Sequence, residues 1–267
     1  MRKAALTIAI KAARAAGDII IRSIPRLTSI KPESKAQYDF TSEVDRAAEA
    51  EIVRELKRSF PGHSILAEEG GASGNSPIRW VIDPLDGTHN FLRGLPHYCV
   101  SIAQTERGEP VVGVIYDPIR DEIFAASKGS GATLNDRRIR VAQRLDLNGA
   151  LLCTGFPFRQ RHHIDEHLAQ TRAMLTRAED IRRTGSAALD LAWVASGRLD
   201  GYWESGLKPW DMAAGVLLVR EAGGRCTDFA GGTDFMETGR IVAANIKVGD
   251  EMLAEIRGAK AIGQASG

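Results

Sequence analysis

The stretch WVIDPLDGTHNF, residues 80–91, points to both a fold and a site. Its first three residues are apolar in succession, which is typical of a central strand with both faces covered. Asp83 and Asp86 lie three residues apart across a turn that Pro84 restricts, so their carboxylates can converge on one point. The Gly-Thr pair that follows would open a helical turn whose N–H groups can hold an anion. Taken alone, the motif is also compatible with an ordinary tight turn.

Two carboxylates aimed at one point repel each other unless a cation lies between them. Oxygen-only ligands suit a hard ion such as Mg²⁺, so we expect further carboxylates nearby. Glu68 and Glu69 follow the apolar residues 65–67, and Asp211 stands at the start of an apolar helix pattern. The alternatives are a solvated loop for the two glutamates and an ordinary helix N-cap for Asp211.

The hydrophobic pattern predicts an α/β or α+β fold in which helices cover sheets. Helical spacing runs from the N-terminus to about Pro25, and it recurs at residues 42–60, 164–178, 186–196 and 211–222. Short β-rich runs lie at residues 65–67, 80–82, 98–103, 111–116, 122–126, 150–154 and 200–204.

The charge of the chain is balanced, with 35 Lys+Arg against 34 Asp+Glu in 267 residues and a formal net charge of +1. A protein that binds a phosphate backbone usually carries a basic excess, so we expect no direct nucleic-acid binding. No window approaches the roughly 18 apolar residues of a membrane span, so we expect a cytoplasmic protein with no membrane association. The three widely spaced cysteines indicate buried, reduced thiols.

A competing metal pattern is HIDEH at residues 163–167, which fits the H-x-x-E-H arrangement of some zinc peptidases. No distant third ligand accompanies it, and the segment is rich in charge. We therefore interpret it as a solvated helix start rather than a zinc site.

Residues 80–91 and the stretch WDMAAG at 210–215 resemble the two signature motifs of the inositol monophosphatase family of Mg²⁺-dependent, lithium-inhibited phosphatases. The similarity extends from about residue 35 to about residue 245, and it is greatest to the bacterial inositol-1-monophosphatase branch. The resemblance implies an α+β fold, a layered α-β-α-β-α sandwich, in a homodimer. It implies one domain over residues 1–267, with an N-terminal α+β part of about 1–145 and a C-terminal α/β part of about 146–260.

The resemblance also implies a set of metal ligands for two to three Mg²⁺ ions. In the family scheme Asp83 bridges two ions. Glu68 and the carbonyl of Leu85 complete one of them, while Asp86 and Asp211 complete the other. A weaker third ion shares Glu68.

Catalytic and substrate roles follow from the same resemblance. Thr88 matches the residue that orients the attacking water, and Asp45 matches the carboxylate that supports it; Glu68 counts as catalytic through its metal. The phosphate would lie against the amides of Gly87 and Thr88. The contacts to the alcohol would come from Gly185, Ser186, Ala187 and Glu204, with Asp86 and Asp211 near the hydroxyls. Lys35 matches a basic residue of a loop that closes over the metals.

The resemblance predicts hydrolysis of myo-inositol monophosphates, small phosphorylated polyols, by a metal-activated water. Related enzymes use the same chemistry on fructose 1,6-bisphosphate, histidinol phosphate, 3′-phosphoadenosine or NADP. A second role, as a non-catalytic protein partner of the transcription apparatus, is known for some members of the bacterial branch. Arg182 and Arg183 fit a partner surface as well as an active site.

Overall fold

Two long helices form the first layer of the fold. The computed structural model describes residues 2–36, 39–158 and 160–264. Helix α1 (Arg2–Ser23) places most of its alanines on the buried face, and α2 (Glu43–Ser59) packs beside it. The side chain of Ser42 accepts a hydrogen bond from the Val44 N–H, which fixes where α2 begins. Both helices confirm the predicted spans to within about two residues.

A short two-stranded sheet and an eight-stranded sheet follow α1 and α2. The small sheet pairs β1 (Glu33–Ala36) with β2 (Asp39–Thr41) in antiparallel orientation. The strands of the large sheet are β3 (Ser64–Ala67), β4 (Gly71–Ser73), β5 (Ile78–Asp86), β6 (Cys99–Glu106), β7 (Glu109–Asp117), β8 (Glu122–Ser127), β9 (Gly131–Leu134) and β10 (Arg137–Arg138). Their order is β10-β9-β8-β7-β6-β5-β3-β4. Strand β5 is therefore interior, parallel to β3 and antiparallel to β6.

The second sheet has five strands and a mixed pattern. Its members are β11 (Leu151–Thr154), β12 (Asp180–Arg182), β13 (Gly201–Ser205), β14 (Arg225–Thr227) and β15 (Arg240–Ala244). Their order is β12-β11-β13-β15-β14. Strand β11 is parallel to β12 and β13, and β15 is antiparallel to β13 and β14. The remaining helices are α3 (Thr88–Leu92), α4 (Ile164–Leu175), α5 (Ala187–Ala195), α6 (Pro209–Glu221), α7 (Phe235–Thr238) and α8 (Ile246–Gln264).

Three hydrophobic cores separate five layers. The first lies between the α1–α2 pair and the eight-stranded sheet, and includes Ile52 and Trp80. The second joins the two sheets through α5 and α6, and the third lies between the five-stranded sheet and the α4–α8 pair. The layers thus run α-β-α-β-α, which confirms the predicted sandwich.

The sequence predicted a turn directly after residues 80–82. This prediction is wrong about where the strand ends, because β5 continues to Asp86. Its pairing with β6 is irregular between Asp83 and Asp86. Pro84 has no N–H to donate to the ladder, and the Leu85 N–H donates to Oδ1 of Asp83 over 3.0 Å. The strand thereby bends without ending, and both carboxylates remain on a central strand.

Two further sequence interpretations are decided by burial. All three cysteines are buried and free, as predicted. The prediction that residues 163–167 form a solvated helix start is wrong for His167. Its side chain is buried, with the residue 3% exposed, and it lies against the rings of Trp203 and Phe156. No helix in the described part of the chain is long and apolar enough to cross a membrane.

Candidate active site

Most of the predicted site residues meet in a cavity of about 320 Å³ between the two sheets. Strand β5 ends at this cavity, and helices α3, α5 and α6 begin there. The predicted residues that line it are Glu68, Asp83, Leu85, Asp86, Gly87, Thr88, Gly185, Ser186, Ala187, Glu204 and Asp211. Asp45 and Lys35 do not line it, but each contacts a residue that does.

Three carboxylates form the centre of the site. Asp83, Asp86 and Asp211 each place an oxygen within 4.8 Å of the other two. Among the described residues, this is the one group of three or more metal-ligating side chains at such distances. The sequence brings it together from β5 and from the first turn of α6.

Each carboxylate of the group is held by a hydrogen bond from the surrounding backbone. Oδ2 of Asp86 accepts the Ala188 N–H over 2.8 Å, and Oδ2 of Asp211 accepts the Lys208 N–H over 2.7 Å. The N-cap alternative for Asp211 is wrong, because Lys208 is the N-cap residue of α6 and Asp211 lies at the third helical position, from which its side chain accepts the N-cap N–H. These bonds hold the carboxylates at distances where their charges repel one another.

The negative charges of Asp83, Asp86 and Asp211 lie close enough together that a bound cation would stabilise them. Burial raises the pKa of Asp83 well above its usual range, and the charge of Glu68 raises it further. The charges of Asp86 and Asp211 act in the same direction. The donors are all oxygen atoms, which suits Mg²⁺ better than a softer metal. The chemistry of the donor set therefore fits the predicted metal.

A threonine hydroxyl beside the carboxylates is fixed by Asp45. The hydroxyl of Thr88 donates towards Oδ1 of Asp45 at 2.8 Å, with the carbonyl of Leu85 also within reach at 2.9 Å. The other Asp45 oxygen accepts the backbone N–H of Ser42 over 2.8 Å. Burial raises the pKa of Asp45 to about 6, against the effect of its hydrogen bonds to Ser42 and Thr88.

The backbone of Gly87 requires glycine. Its φ of +97° lies in the left-handed region, and an added Cβ would lie 3.0 Å from the carbonyl oxygen of His97. This conformation directs the chain from β5 into α3, so that Thr88 begins the helix at the cavity wall.

The glutamate pair at residues 68 and 69 is held from two sides. Nζ of Lys35 lies 2.9 Å from Oε1 of Glu68 and also pairs with Glu69. From below, the carboxylate of Glu49 on α2 accepts the N–H groups of Glu69 and Gly70 over 2.8 and 2.7 Å. Glu68 lines the cavity but is not part of the three-carboxylate group.

A second carboxylate position, Glu204, lies on the wall formed by the five-stranded sheet. The hydroxyl of the fully buried Tyr202 donates to Oε2 of Glu204. Burial, followed by the charge of Glu204, raises the pKa of Tyr202 well above its usual range, so the hydroxyl keeps its proton. Gly155 leaves room for this arrangement, because a Cβ there would lie 2.1 Å from the Glu204 carboxylate.

Sequence reasoning missed part of the cavity wall. The residues not anticipated there are His89, Gly155, Phe158, Arg161, Asp190 and Leu207. Arg183, for which the sequence left an active site or a partner surface open, also lines the cavity. A usable signal existed for Gly155 and Phe158, which follow the carboxyl end of strand β11, the edge where open α/β sheets bind ligands. Arg161 and Asp190 carried no local pattern that distinguished them from surface or core residues.

The comparisons with known proteins agree with this geometry. A family model described as the inositol monophosphatase family matches residues 1–260. A protein of Xylella fastidiosa named Nus factor SuhB is 55% identical over 254 residues, which cover 93% of this chain and 92% of that protein.

Solved structures show the same fold. Extragenic suppressor protein suhB from Bartonella henselae superposes with a TM-score of 0.92 at 42% identity, covering 95% of this chain and 98% of its own. An inositol monophosphatase from Anabaena (Nostoc) superposes with a TM-score of 0.86 at 42% identity, covering 96% of each chain.

Proposed function

Because this chain belongs to the inositol monophosphatase family, we propose that it is a Mg²⁺-dependent phosphomonoesterase that hydrolyses myo-inositol monophosphates to inositol and phosphate. One observation supports this proposal best. The carboxylates of Asp83, Asp86 and Asp211 converge within 4.8 Å in a cavity that Glu204 of the five-stranded sheet also lines. Such a cavity offers a metal cluster for a phosphate on one side and a hydrogen-bond acceptor for hydroxyls on the other.

The proposed metal ligands are those predicted from the sequence, and they would hold two to three Mg²⁺ ions. They are Glu68, Asp83, the carbonyl of Leu85, Asp86 and Asp211. When bound, Mg²⁺ neutralises these carboxylates, binds the phosphate oxygens, lowers the pKa of water and stabilises the leaving alkoxide.

The protein's own residues orient the water and the phosphate. Thr88 donates its single hydroxyl proton to Asp45, and its oxygen then accepts a hydrogen bond from the attacking water. This bond holds a water lone pair towards phosphorus, in line with the departing alcohol. The amides of Gly87 and Thr88 hold the phosphate oxygens. The water oxygen would bond to phosphorus as the bond from phosphorus to the alcohol oxygen breaks, and the proton that the water releases would neutralise the leaving alkoxide, so that no covalent phosphoenzyme forms.

The alcohol part of the substrate lies against the second half of the chain. Glu204 accepts hydrogen bonds from ring hydroxyls, in an orientation that Tyr202 sets. Residues 185–187 form the adjacent wall, and Asp86 and Asp211 lie close to the hydroxyls nearest the phosphate.

A substrate panel with metal removal tests this function. Phosphate release from inositol 1-phosphate should be lost after treatment with EDTA and return with Mg²⁺; full activity without divalent ions would refute the metal role. The panel adds fructose 1,6-bisphosphate, histidinol phosphate, 3′-phosphoadenosine 5′-phosphate and NADP. A kcat/KM for inositol 1-phosphate far below that of another compound would overturn the substrate, but not the chemistry.

A second candidate role is a contact with the transcription apparatus, and the relatives named Nus factor SuhB favour it. The net charge of +1 favours a protein contact over direct nucleic-acid binding. Asp86→Asn separates the roles: it should abolish hydrolysis while preserving the fold. A cellular phenotype that survives this substitution supports the partner role, and a phenotype lost with activity assigns it to the phosphatase. For the phosphatase, we also propose that the protein is cytoplasmic, forms a homodimer and is inhibited by lithium.

A further inference from the structure

One buried asparagine joins two segments that border the cavity. Asn90 lies on α3, two residues after Thr88, and is 7% exposed. Its amide nitrogen donates to the carbonyl oxygen of His97 over 2.7 Å and to that of Thr184 over 2.9 Å. Both protons of the amide group are thus used. The second bond spans 94 positions of sequence and connects the segment before α5 to the helix that begins with Thr88.

The side chain of Asn90 lies directly against Gly185, which lines the cavity. A Cβ built on Gly185 would lie 3.0 Å from Nδ2 and 3.3 Å from Oδ1 of Asn90. Asn90 itself does not line the cavity. It therefore reaches a bound substrate through the backbone of Gly185 rather than by touching the substrate.

Thr184 is held from a second direction by helix α5. Its hydroxyl donates to Oδ1 of Asp190, a buried residue of that helix, over 2.6 Å. The carbonyl and the hydroxyl of this one residue are thus anchored on α3 and on α5. Beyond Gly185, donors of residues 186 and 188 hold Asp86. The bond from Asn90 is therefore separate from the bonds that orient the proposed metal ligand.

We propose that Asn90 is a positioning residue that holds the alcohol contacts at a fixed distance from the phosphate. Because Thr88 and Asn90 share one short helix, the bond to Thr184 fixes Gly185 relative to the water-orienting hydroxyl. A polyol that lies against Gly185 is then held with its phosphorus in line with the attacking water. A phosphomonoester that does not reach this wall gains nothing from the bond. This inference rests on the proposed phosphatase function and adds a specificity-determining residue to the same site.

The test compares inositol 1-phosphate with p-nitrophenyl phosphate, which has no polyol. Asn90→Ala removes both donors. For inositol 1-phosphate, KM should rise and kcat/KM should fall by about 10-fold, because Gly185 is no longer held. For p-nitrophenyl phosphate, kcat/KM should stay within about twofold of the wild type, since the donors to Asp86 are intact. A merely structural role would lower kcat on both substrates alike, through the amount of folded enzyme, and leave each KM unchanged.

Asn245→Ala is the matched control. Asn245 is also buried, and its Nδ2 donates to two backbone carbonyls, those of Ala142 and Arg144, over 2.8 and 2.9 Å. It does not line the cavity. Both variants should unfold at a lower urea concentration than the wild type, but Asn245→Ala should keep the wild-type ratio of kcat/KM for the two substrates within about twofold.

A second variant covers the case in which Asn90→Ala does not fold. Asn90→Ser shortens the side chain and leaves space for water, which can satisfy the carbonyls of His97 and Thr184 without fixing Gly185. The same fall in kcat/KM for inositol 1-phosphate alone is expected. An unchanged substrate ratio in the Asn90 variant, an equal loss on both substrates, or the same change in Asn245→Ala overturns the inference and leaves the phosphatase function intact.

Failure of the proposed function is recognised separately. If the wild type does not hydrolyse inositol 1-phosphate, that function fails, and calorimetry in Mg²⁺ with inositol 1-phosphate and with inorganic phosphate decides the positioning role. Asn90→Ala should then weaken the binding of inositol 1-phosphate by about 10-fold and that of inorganic phosphate by no more than about twofold. A wild type that binds no inositol 1-phosphate, or a variant that binds both ligands equally less tightly, overturns the inference.

Discussion

The hydroxyl of Ser186 donates a hydrogen bond to Oδ2 of Asp86 over 2.6 Å, across 100 positions of sequence. Asp86 ends strand β5 of the eight-stranded sheet, and Ser186 immediately precedes helix α5. The N–H of Ala188 donates to the same carboxylate oxygen. The positive end of the α5 dipole therefore faces the Asp86 carboxylate, an arrangement that the dipole favours. One proposed metal ligand thus depends on both halves of the chain for its orientation.

Removing the Ser186 hydroxyl should loosen Asp86. We expect Ser186→Ala to lower kcat/KM for inositol 1-phosphate by about 10-fold, and the free energy of unfolding by about 1–2 kcal/mol, because a hydrogen bond to a charged acceptor is lost. Phosphate-release kinetics and urea denaturation measure the two effects. Ser196→Ala, at the opposite end of α5, removes a hydroxyl that donates to the Trp193 carbonyl and should leave kcat/KM unchanged. Wild-type kinetics in Ser186→Ala would show that the Ser186 hydroxyl is not needed to hold Asp86.

Glu49 should control metal affinity without touching the metal. Its carboxylate accepts two successive N–H groups after β3, and the amide of Glu49→Gln cannot replace both acceptors. The turn that carries Glu68 should then shift. We expect the dissociation constant for Mg²⁺, measured by calorimetry, to rise by about 10-fold.

Glu55→Gln provides the matched control for Glu49→Gln. Glu55 is also a buried glutamate of α2, but it pairs with Lys11, Arg54 and Arg58 away from the cavity. This variant should lose stability in urea while its Mg²⁺ affinity stays at the wild-type value. An equal loss of Mg²⁺ affinity in both variants would assign the effect of Glu49 to general destabilisation of α2.

Gly155 should determine how well the site accepts polyols. The Cβ of Gly155→Ala would meet the Glu204 carboxylate, which Tyr202 holds from the other side. Displacement of Glu204 should lower kcat/KM for inositol 1-phosphate by about 10-fold, and the loss for p-nitrophenyl phosphate, which has no polyol, should be smaller. Gly258→Ala, where an added Cβ has no neighbour within 4 Å, is the control. An equal loss of kcat/KM on both substrates would show that Gly155→Ala disturbs the metal site rather than the contact with the polyol.

The sequence predicted the parts of this fold that have a strong local pattern. Helix α2 combines apolar spacing with the Ser42 cap, and β5 combines an apolar run with an unusual pair of carboxylates. The resemblance of two motifs to a family then supplied what local patterns lack, namely that residues as distant as Asp83 and Asp211 meet.

Features that arise from tertiary packing escaped prediction. Strand β4 has three exposed residues and exists only because β3 pairs with it. Glu49 has the sequence context of an ordinary charged helix residue, and its role appears only where α2 passes beneath the turn at Glu69 and Gly70. The contacts of Arg183 with Phe156 and Phe158 likewise arise from packing, because both rings lie in the segment that follows β11.

The environment of the His97 ring makes the free energy of unfolding depend on pH. Burial, followed by the charge of Arg120, lowers the pKa of His97 to about 4, and the charge of Asp117 acts in the opposite direction. Its Nε2 atom is buried and makes no hydrogen bond within the described residues, and the ring lies edge-on to Trp193 at 4.9 Å. The folded protein therefore holds this imidazole in its neutral form.

Acid should destabilise the wild type through His97. Between about pH 6.5 and pH 4 the unfolded chain binds a proton at this imidazole and the folded chain does not, so stability is complete above this range and falls as the pH decreases through it. We expect His97 to contribute a loss of about 2 kcal/mol between pH 7 and pH 4.5. Urea denaturation at both pH values should show a correspondingly smaller difference for His97→Gln than for the wild type. His162→Gln, which replaces an exposed histidine, should retain the wild-type difference. The same pH dependence in His97→Gln and in the wild type would assign the acid sensitivity to other groups.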